Sequence, residues 1–189
     1  AACVQGQGDK GTRPPAELRC FILSNNLCRG LIPGPFIHDV PLNPKDKWHQ
    51  MVSRAYFSYC RPYAHFAQYL VQGETMRPPK VECARVAIPV EPMSLPGAKG
   101  SAKTTKQEVR IPAVNTGCFR ATDGSMAVIV ANVTDKTQLA QVKIPFRLAE
   151  LKLFDATRSE LQQWSDLAVG TQIPMELKAF DTQVLIMRR

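Results

Sequence analysis

The chain contains none of the short motifs that announce a chemistry. Its 189 residues hold no Gly-x-Ser-x-Gly elbow, no phosphate-binding P-loop and no dinucleotide fingerprint. Gln5-Gly6-Gln7-Gly8 is a bare Gly-x-Gly with no strand pattern ahead of it. Histidine is scarce, at 3 residues, and none stands at a zinc-finger spacing; the 6 cysteines form no Cys-x-x-Cys pair. A zinc centre is therefore unsupported, and no metal or other cofactor is expected. No apolar run is long enough to span a membrane. Ala1-Ala2-Cys3-Val4-Gln5-Gly6 has neither the basic nor the apolar region of a signal peptide. Either a leader has been removed or the chain starts inside a longer protein, and the missing initial Met fits both. No repeat period is visible.

What is present points to a packed, basic protein. The apolar fraction of 44% supports a sizeable core. The net charge of +8 invites a polyanion partner, but the charges are scattered. Their densest group, Lys99, Lys103, Lys106 and Arg110, lies in a Gly-, Ser- and Ala-rich stretch without interleaved aromatics. That favours a solvated loop over a nucleic-acid surface. Cys3, Cys20, Cys28, Cys60, Cys83 and Cys118 could pair in an oxidising compartment or remain small buried thiols. Asn132-Val133-Thr134 is a glycosylation sequon, meaningful only in a eukaryotic secretory protein. The compartment stays unknown, with a secreted or periplasmic setting slightly favoured.

Three regions follow one another. Residues 1–43 read as irregular, a possible remnant of a larger domain: glycines and prolines open them, Leu18–Leu23 is a short apolar run, and Gly30–Ile37 is broken by two glycines and two prolines. Residues 44–79 carry an amphipathic helix and a Pro-rich connector. Asn43 is the expected cap, Pro44 fits the first helical position and Asp46 suits the helix dipole. Trp48, Met51, Val52, Tyr56, Tyr59, Tyr63, Phe66 and Leu70 recur at three- and four-residue steps on one broad apolar face. Pro62 is expected to kink this helix or split it near Arg61, and the unbroken phase of the apolar face favours a kink; Gly73 is expected to stop it. So wide a face needs a large partner surface, so these eight residues are the candidate interface. A missing barrel domain, the sandwich itself, a second copy or another subunit could cover it. Glu74–Glu82, with Pro78-Pro79, reads as a stiff extended connector.

Residues 80–189 hold almost no helix pattern. Candidate strands are Cys83–Val90, Gln107–Val114, Thr116–Ala121, Met126–Val133, Gln138–Pro145, Leu151–Phe154, Glu160–Trp164, Thr171–Lys178 and Thr182–Met187. Asp123-Gly124 can close a tight hairpin, and the run Met126–Asn132 suits a buried strand. The fold class is mainly β: an antiparallel, Greek-key-like β-sandwich of about seven or eight strands, preceded by the helix and the irregular segment.

The candidate chemistry is thin. His38-Asp39 is a His beside an acid, but neighbouring residues rarely converge on one site, so a structural pair is favoured. His49 and His65 are too far apart on the helix to share a metal and read as surface or boundary residues. Of the 16 acidic residues, those from Glu74 onward, including Glu74, Glu82, Glu150, Asp155, Glu176 and Asp181, are available, yet no spacing singles out the pair a glycosidase needs. No catalytic residue is assigned. Trp164, among Gln162, Gln163 and Ser165, is the candidate sugar-stacking residue, with rim packing as the plainer alternative.

One resemblance can be drawn on residues. Tyr69-Leu70-Val71-Gln72-Gly73-Glu74-Thr75-Met76-Arg77-Pro78-Pro79 resembles the exit from the last helix of a (β/α)8-barrel glycoside hydrolase of the α-amylase-like or a related uncharacterised barrel family. Asp123–Asn132 and Leu185-Ile186-Met187 are similar to strands of the C-terminal sandwich of such proteins. The resemblance covers roughly residues 44–189, with Leu18–Pro41 as a last barrel strand and loop. It implies an accessory region that braces a barrel and contacts glycan. The catalytic carboxylates would lie on earlier strands, and a barrel needs at least about 200 residues. Whether the chain is itself an enzyme is therefore left open. A stand-alone glycan- or polyanion-binding module and a structural subunit of a larger assembly are the alternatives.

Overall fold

The structure is a computed structural model that describes residues 16–31, 45–90 and 107–189. Its elements run α1 (Ala16–Cys28), α2 (Lys47–His65), α3 (Ala67–Leu70), β1 (Glu74–Met76), β2 (Val81–Cys83), β3 (Arg85–Val90), β4 (Gln107–Pro112), β5 (Val114–Arg120), β6 (Met126–Asn132), β7 (Gln138–Lys143), β8 (Leu148–Asp155), β9 (Glu160–Leu167), β10 (Gln172–Leu177) and β11 (Thr182–Arg188). All the strand pairings are antiparallel. A 6-stranded sheet has the order β1-β5-β6-β11-β8-β9; a 3-stranded sheet, β10-β7-β2, faces it; β3 and β4 form a separate ribbon. The mainly β, sandwich-like class expected from the sequence is the one observed, with 11 strands among the described residues.

The large sheet is covered on both faces. On one, Cys118, Val128, Val130, Leu151, Leu153, Leu185 and Met187 meet Ala140, Val142, Ile173 and Met175 of the small sheet. On the other, Phe119, Ala127, Ile129, Ala131, Val184 and Ile186 meet Cys20, Leu23 and Leu27 of α1, Val52, Ala55 and Tyr59 of α2, and Phe66, Tyr69 and Leu70. Successive residues of a strand point to opposite faces. A central strand between two cores must therefore be apolar throughout, and every residue of β6 is buried. The Asp123-Gly124 hairpin forms as expected. Gly124 takes φ +79 and its N–H donates to the Ala121 carbonyl at 3.0 Å, a turn whose left-handed position suits glycine.

Several expectations need correction. Residues 16–28 are helical, neither irregular nor a barrel strand. Ala16, Cys20, Leu23, Ser24, Leu27 and Cys28 form the buried stripe. It includes a serine and two cysteines, while apolar Ile22 is 40% exposed on another side, so hydropathy alone hides its period. The α1 terminus is a Schellman turn: Leu31 N–H donates to the Asn26 carbonyl and Gly30 N–H to the Leu27 carbonyl, both at 2.9 Å, with Gly30 at φ +68. The α2 cap is Asp46, whose carboxylate accepts from Trp48 N–H at 2.9 Å; Asn43 and Pro44 lie outside the described residues. Pro62 does not split the helix near Arg61. The ladder resumes with Phe66 N–H to the Pro62 carbonyl at 2.8 Å, and the break falls at Phe66, φ −126 and ψ 31. The missing proline donor costs one bond to Ser58, which a packed helix tolerates.

The connector is stitched into both sheets. Glu74–Met76 pair with Cys118–Arg120, and Val81–Cys83 with Ala140–Val142. The helices, the connector and the large sheet thus share hydrogen bonds or core.

Candidate functional site

No constellation of catalytic type assembles among the described residues, and no group of three or more His, Cys, Asp or Glu is placed to hold a metal ion. His38 and Asp39 lie outside the described residues. His65 is exposed. His49, expected at the surface or a boundary, is buried at 4% exposure, with Nδ1 3.3 Å from Asp46 Oδ2 at the start of α2. Lys99, Lys103 and Lys106 also lie outside the described residues; Arg110 is exposed on β4, and its carbonyl accepts from Arg85 at 2.8 Å.

The sequon asparagine is unavailable to any glycosyl acceptor chemistry. Asn132 is fully buried. Its Nδ2 donates to the carbonyls of Lys136 at 2.7 Å and Lys178 at 2.8 Å, with Leu177 at 3.2 Å. Its Oδ1 accepts from Thr134 N–H and Oγ1, both at 2.9 Å. The Tyr59 hydroxyl donates to the Asn132 carbonyl at 2.6 Å and pins α2 to β6. Buried amides must be satisfied in this way, so the side chain is spent on structure.

The candidate interface residues divide. Val52, Tyr59, Phe66 and Leu70 are buried in the core shared with the large sheet and α1, while Trp48, Met51, Tyr56 and Tyr63 are half-buried at its edge. The Tyr63 hydroxyl donates to the Leu31 carbonyl at 2.7 Å. Outward from the helical layer stand Phe57 at 58% and Val71 at 60% exposure, with Ile22 and Leu31 also exposed. Phe57 sits with Arg54, Ser58, Arg61, Lys178 and Asp181 around a shallow cleft. The heptad-like count in the sequence finds the buried face; it does not find Phe57, which is off that phase.

Trp164 is half-buried on β9, the edge strand, opposite Leu151, and packs against the core between the sheets. Gln162 lies two residues back on the same face, opposite Leu153, and lines a groove of about 790 Å3 with Leu139, Leu161, Met175, Glu176 and Gln183. The Gln183 Nε2 donates to the Glu176 carbonyl at 2.8 Å, whereas its buried Oε1 has no partner. That carbonyl could not be singled out from the sequence, because its burial depends on how the two sheets meet. Glu82 also lines the groove. A hydrogen bond and ion pair with Lys80 at 3.0 Å hold its carboxyl below the usual range. A general acid needs the opposite shift.

The fold is a β-sandwich backed by a helical layer, with grooves and exposed apolar side chains on its surface. No protein-family model and no curated protein matches the chain. Its structural neighbours are glycoside hydrolases. Alpha-galactosidase I from Mortierella vinacea aligns with 96% of this chain and 37% of its own, at 10% identity and a TM-score of 0.40. A candidate α-N-acetylgalactosaminidase from Bacillus halodurans aligns over 97% and 33%, at 15% identity and a TM-score of 0.39. CelM2, a bifunctional glucanase-xylanase from a metagenome library, aligns over 45% and 18%, at 18% identity and a TM-score of 0.35. The chain thus spans well under half the length of these proteins. Alignments this loose carry no residue role across to the chain.

Proposed function

We propose that the chain is the accessory β-sandwich region of a carbohydrate-active barrel enzyme, non-catalytic by itself. Its helical layer would brace the barrel and the Trp164 rim would contact glycan. The observation that carries this reading is the outward apolar set on the helical segments: Ile22, Leu31, Phe57 and Val71. The large sheet already has its cover, so these side chains do nothing for the sandwich. They suit a further protein surface. The Tyr69–Pro79 exit supports the same reading, since it leads from α3 directly into edge strand β1. In the bracing role, Trp48, Met51, Tyr56 and Tyr63 form a half-covered margin, and Val52, Tyr59, Phe66 and Leu70 act as its internal support.

The test has two parts. The coding region upstream of Ala1 should continue with alternating strand and helix patterns over several hundred residues; a signal peptide ending at Ala1 overturns the reading. Phe57→Asp combined with Val71→Asp should leave the stability of the 189-residue chain unchanged, because both side chains are exposed. The same pair should lower the melting temperature of the longer protein by several degrees. Equal melting of the longer protein with and without the substitutions also overturns it.

The second reading is a stand-alone binding module. It draws on the groove below Trp164, where Gln162, Glu176 and the unpartnered Gln183 carbonyl meet Leu139 and Leu161.

A further inference from the structure

A second cleft, of about 690 Å3, opens where the connector crosses the large sheet. Arg77, Lys80, Arg120 and Arg189 line it, and no acidic residue does. Its floor is apolar, made by Met76, Cys118, Met126, Phe146 and Met187, and Pro78, Pro79 and Pro145 stiffen its rim. From these residues we infer that the cleft is a binding site for an anionic sugar, one whose ring carries a carboxylate or a sulfate.

The argument is one of chemical complement. Four exposed like charges gather around an apolar floor and give the cleft a positive potential. Some of that charge is already answered: Glu74 pairs with Arg120, and Glu82 with Lys80 at 3.0 Å. Asp123, whose carboxyl is held low first by its hydrogen bonds from Ser125, also feels Arg188 nearby. Arg77 has no ionic partner among the described residues, and Arg189 is held by stacking, its guanidinium carbon 4.1 Å from the Phe146 ring centre. Both guanidiniums therefore keep donors to spare, in the fork geometry that fits carboxylate and sulfate oxygens.

The side chains also specify what is refused. Arginine and lysine only donate. The lining offers no carboxylate, amide or hydroxyl side chain to accept from a ligand. A neutral sugar brings hydroxyl protons that find no such acceptor here, whereas an acidic sugar brings acceptor oxygens. The volume lies within the usual range for a small-ligand pocket, roughly 300–1,000 Å3, and the methionine and phenylalanine floor suits the C–H face of a ring. The anion part of this inference stands on the cleft alone; the sugar part rests on the carbohydrate reading above.

The experiment is calorimetric titration of the 189-residue chain with four probes: a uronic-acid disaccharide, a sulfated disaccharide, the matching neutral disaccharide and inorganic sulfate. One or both acidic disaccharides should bind, and the neutral one at least about tenfold more weakly, as loss of a charge-assisted contact implies. Raising sodium chloride from about 0.05 to about 0.5 M, roughly a threefold fall in screening length, should weaken binding severalfold. Arg77→Ala and Arg189→Ala should each lower affinity about tenfold at unchanged melting temperature, since both side chains are exposed. Arg110→Ala, on the ribbon, should leave it unchanged. Equal binding of the neutral disaccharide, undiminished binding by both arginine variants, or no binding by any probe overturns the site. Inorganic sulfate binding as tightly as the disaccharides overturns the sugar assignment. None of these outcomes bears on the melting test of Phe57 and Val71, so the two readings fail separately.

Discussion

Replacing Asn132 by aspartate probes the joint between the helical layer and the sandwich. The substitution exchanges Nδ2 for an oxygen at a site that is fully buried. In place of donated bonds at 2.7 and 2.8 Å, the carbonyls of Lys136 and Lys178 would face a second oxygen, with the Leu177 carbonyl close behind. Two buried hydrogen bonds at about 1 kcal/mol each, plus about 1–3 kcal/mol for the acceptors left unpaired, give a loss of about 3–5 kcal/mol at neutral pH. That is a large part of the roughly 5–15 kcal/mol that holds a domain together. The sign of the pH dependence follows from the same geometry. Burial among carbonyls raises the folded-state pKa of the introduced carboxyl above its unfolded value of about 3.9. The protonated acid can donate one bond, so the deficit is smallest below about pH 4 and grows as the pH rises through the folded pKa. Urea unfolding followed by the fluorescence of Trp48 and Trp164, with the wild type measured beside each variant at pH 4 and pH 7.5, reads the difference. Asn132→Ala should lose about 3 kcal/mol at both pH values, since it has nothing to titrate. An aspartate variant within about 1 kcal/mol of the wild type at pH 7.5, or one whose deficit is the same at both pH values, would refute the hydrogen-bond account.

Three further outcomes are expected. Gly117→Ala should cost about 3 kcal/mol, because an added Cβ would stand 2.2 Å from the Cys28 carbonyl oxygen, a backbone atom that cannot swing aside; an unchanged melting temperature would show that α1 does not lie this close to β5. Tyr59→Phe should cost about 1–2 kcal/mol through loss of the 2.6 Å bond to the Asn132 carbonyl, measured by the same urea titration; a neutral effect would remove that pin. Burial pushes the thiols of Cys20 and Cys28 up to about 12 and that of Cys118 to about 11, from an ordinary 9.0. These thiols stay protonated when folded, so their contribution to stability is complete below pH 9 and is lost as the pH climbs toward 12. A thiol reagent at pH 8 should reach half-buried Cys60 and Cys83 in the native chain, and Cys20, Cys28 and Cys118 only on unfolding; equal native reactivity of these five would contradict the packing.

Much of the sandwich was legible because its signals are local. The Met126–Asn132 run, the Thr182–Met187 strand and the Asp123-Gly124 turn each declare themselves within ten residues, through β-branched content, alternation and a glycine able to take positive φ. Helix α2 was legible for the same reason, its apolar period persisting over many turns, although the break at Phe66 was not. The candidate site was far less so. The Arg77 cleft gathers residues from the connector, the β5–β6 hairpin, the β7–β8 turn and β11, and the groove at Gln183 gathers them from β2, β7, β8, β9 and β10; no window of sequence contains either set together.

Composition and periodicity alone determined that this chain builds an antiparallel sheet and the amphipathic helix α2, since each depends on neighbours a few residues away. Only the tertiary structure decided what those faces meet. It made α1 from a stretch with a poor hydropathy period, because Cys20, Leu23, Leu27 and Cys28 share a core with Ala127 and Ala131 of the sheet, and Gly117, lacking a side chain, lets the Cys28 backbone come close. It also turned the sequon Asn132 into a buried clasp: whether an amide meets solvent or three carbonyls depends on strands far apart in sequence, and the energy of an unpaired buried group settles the matter.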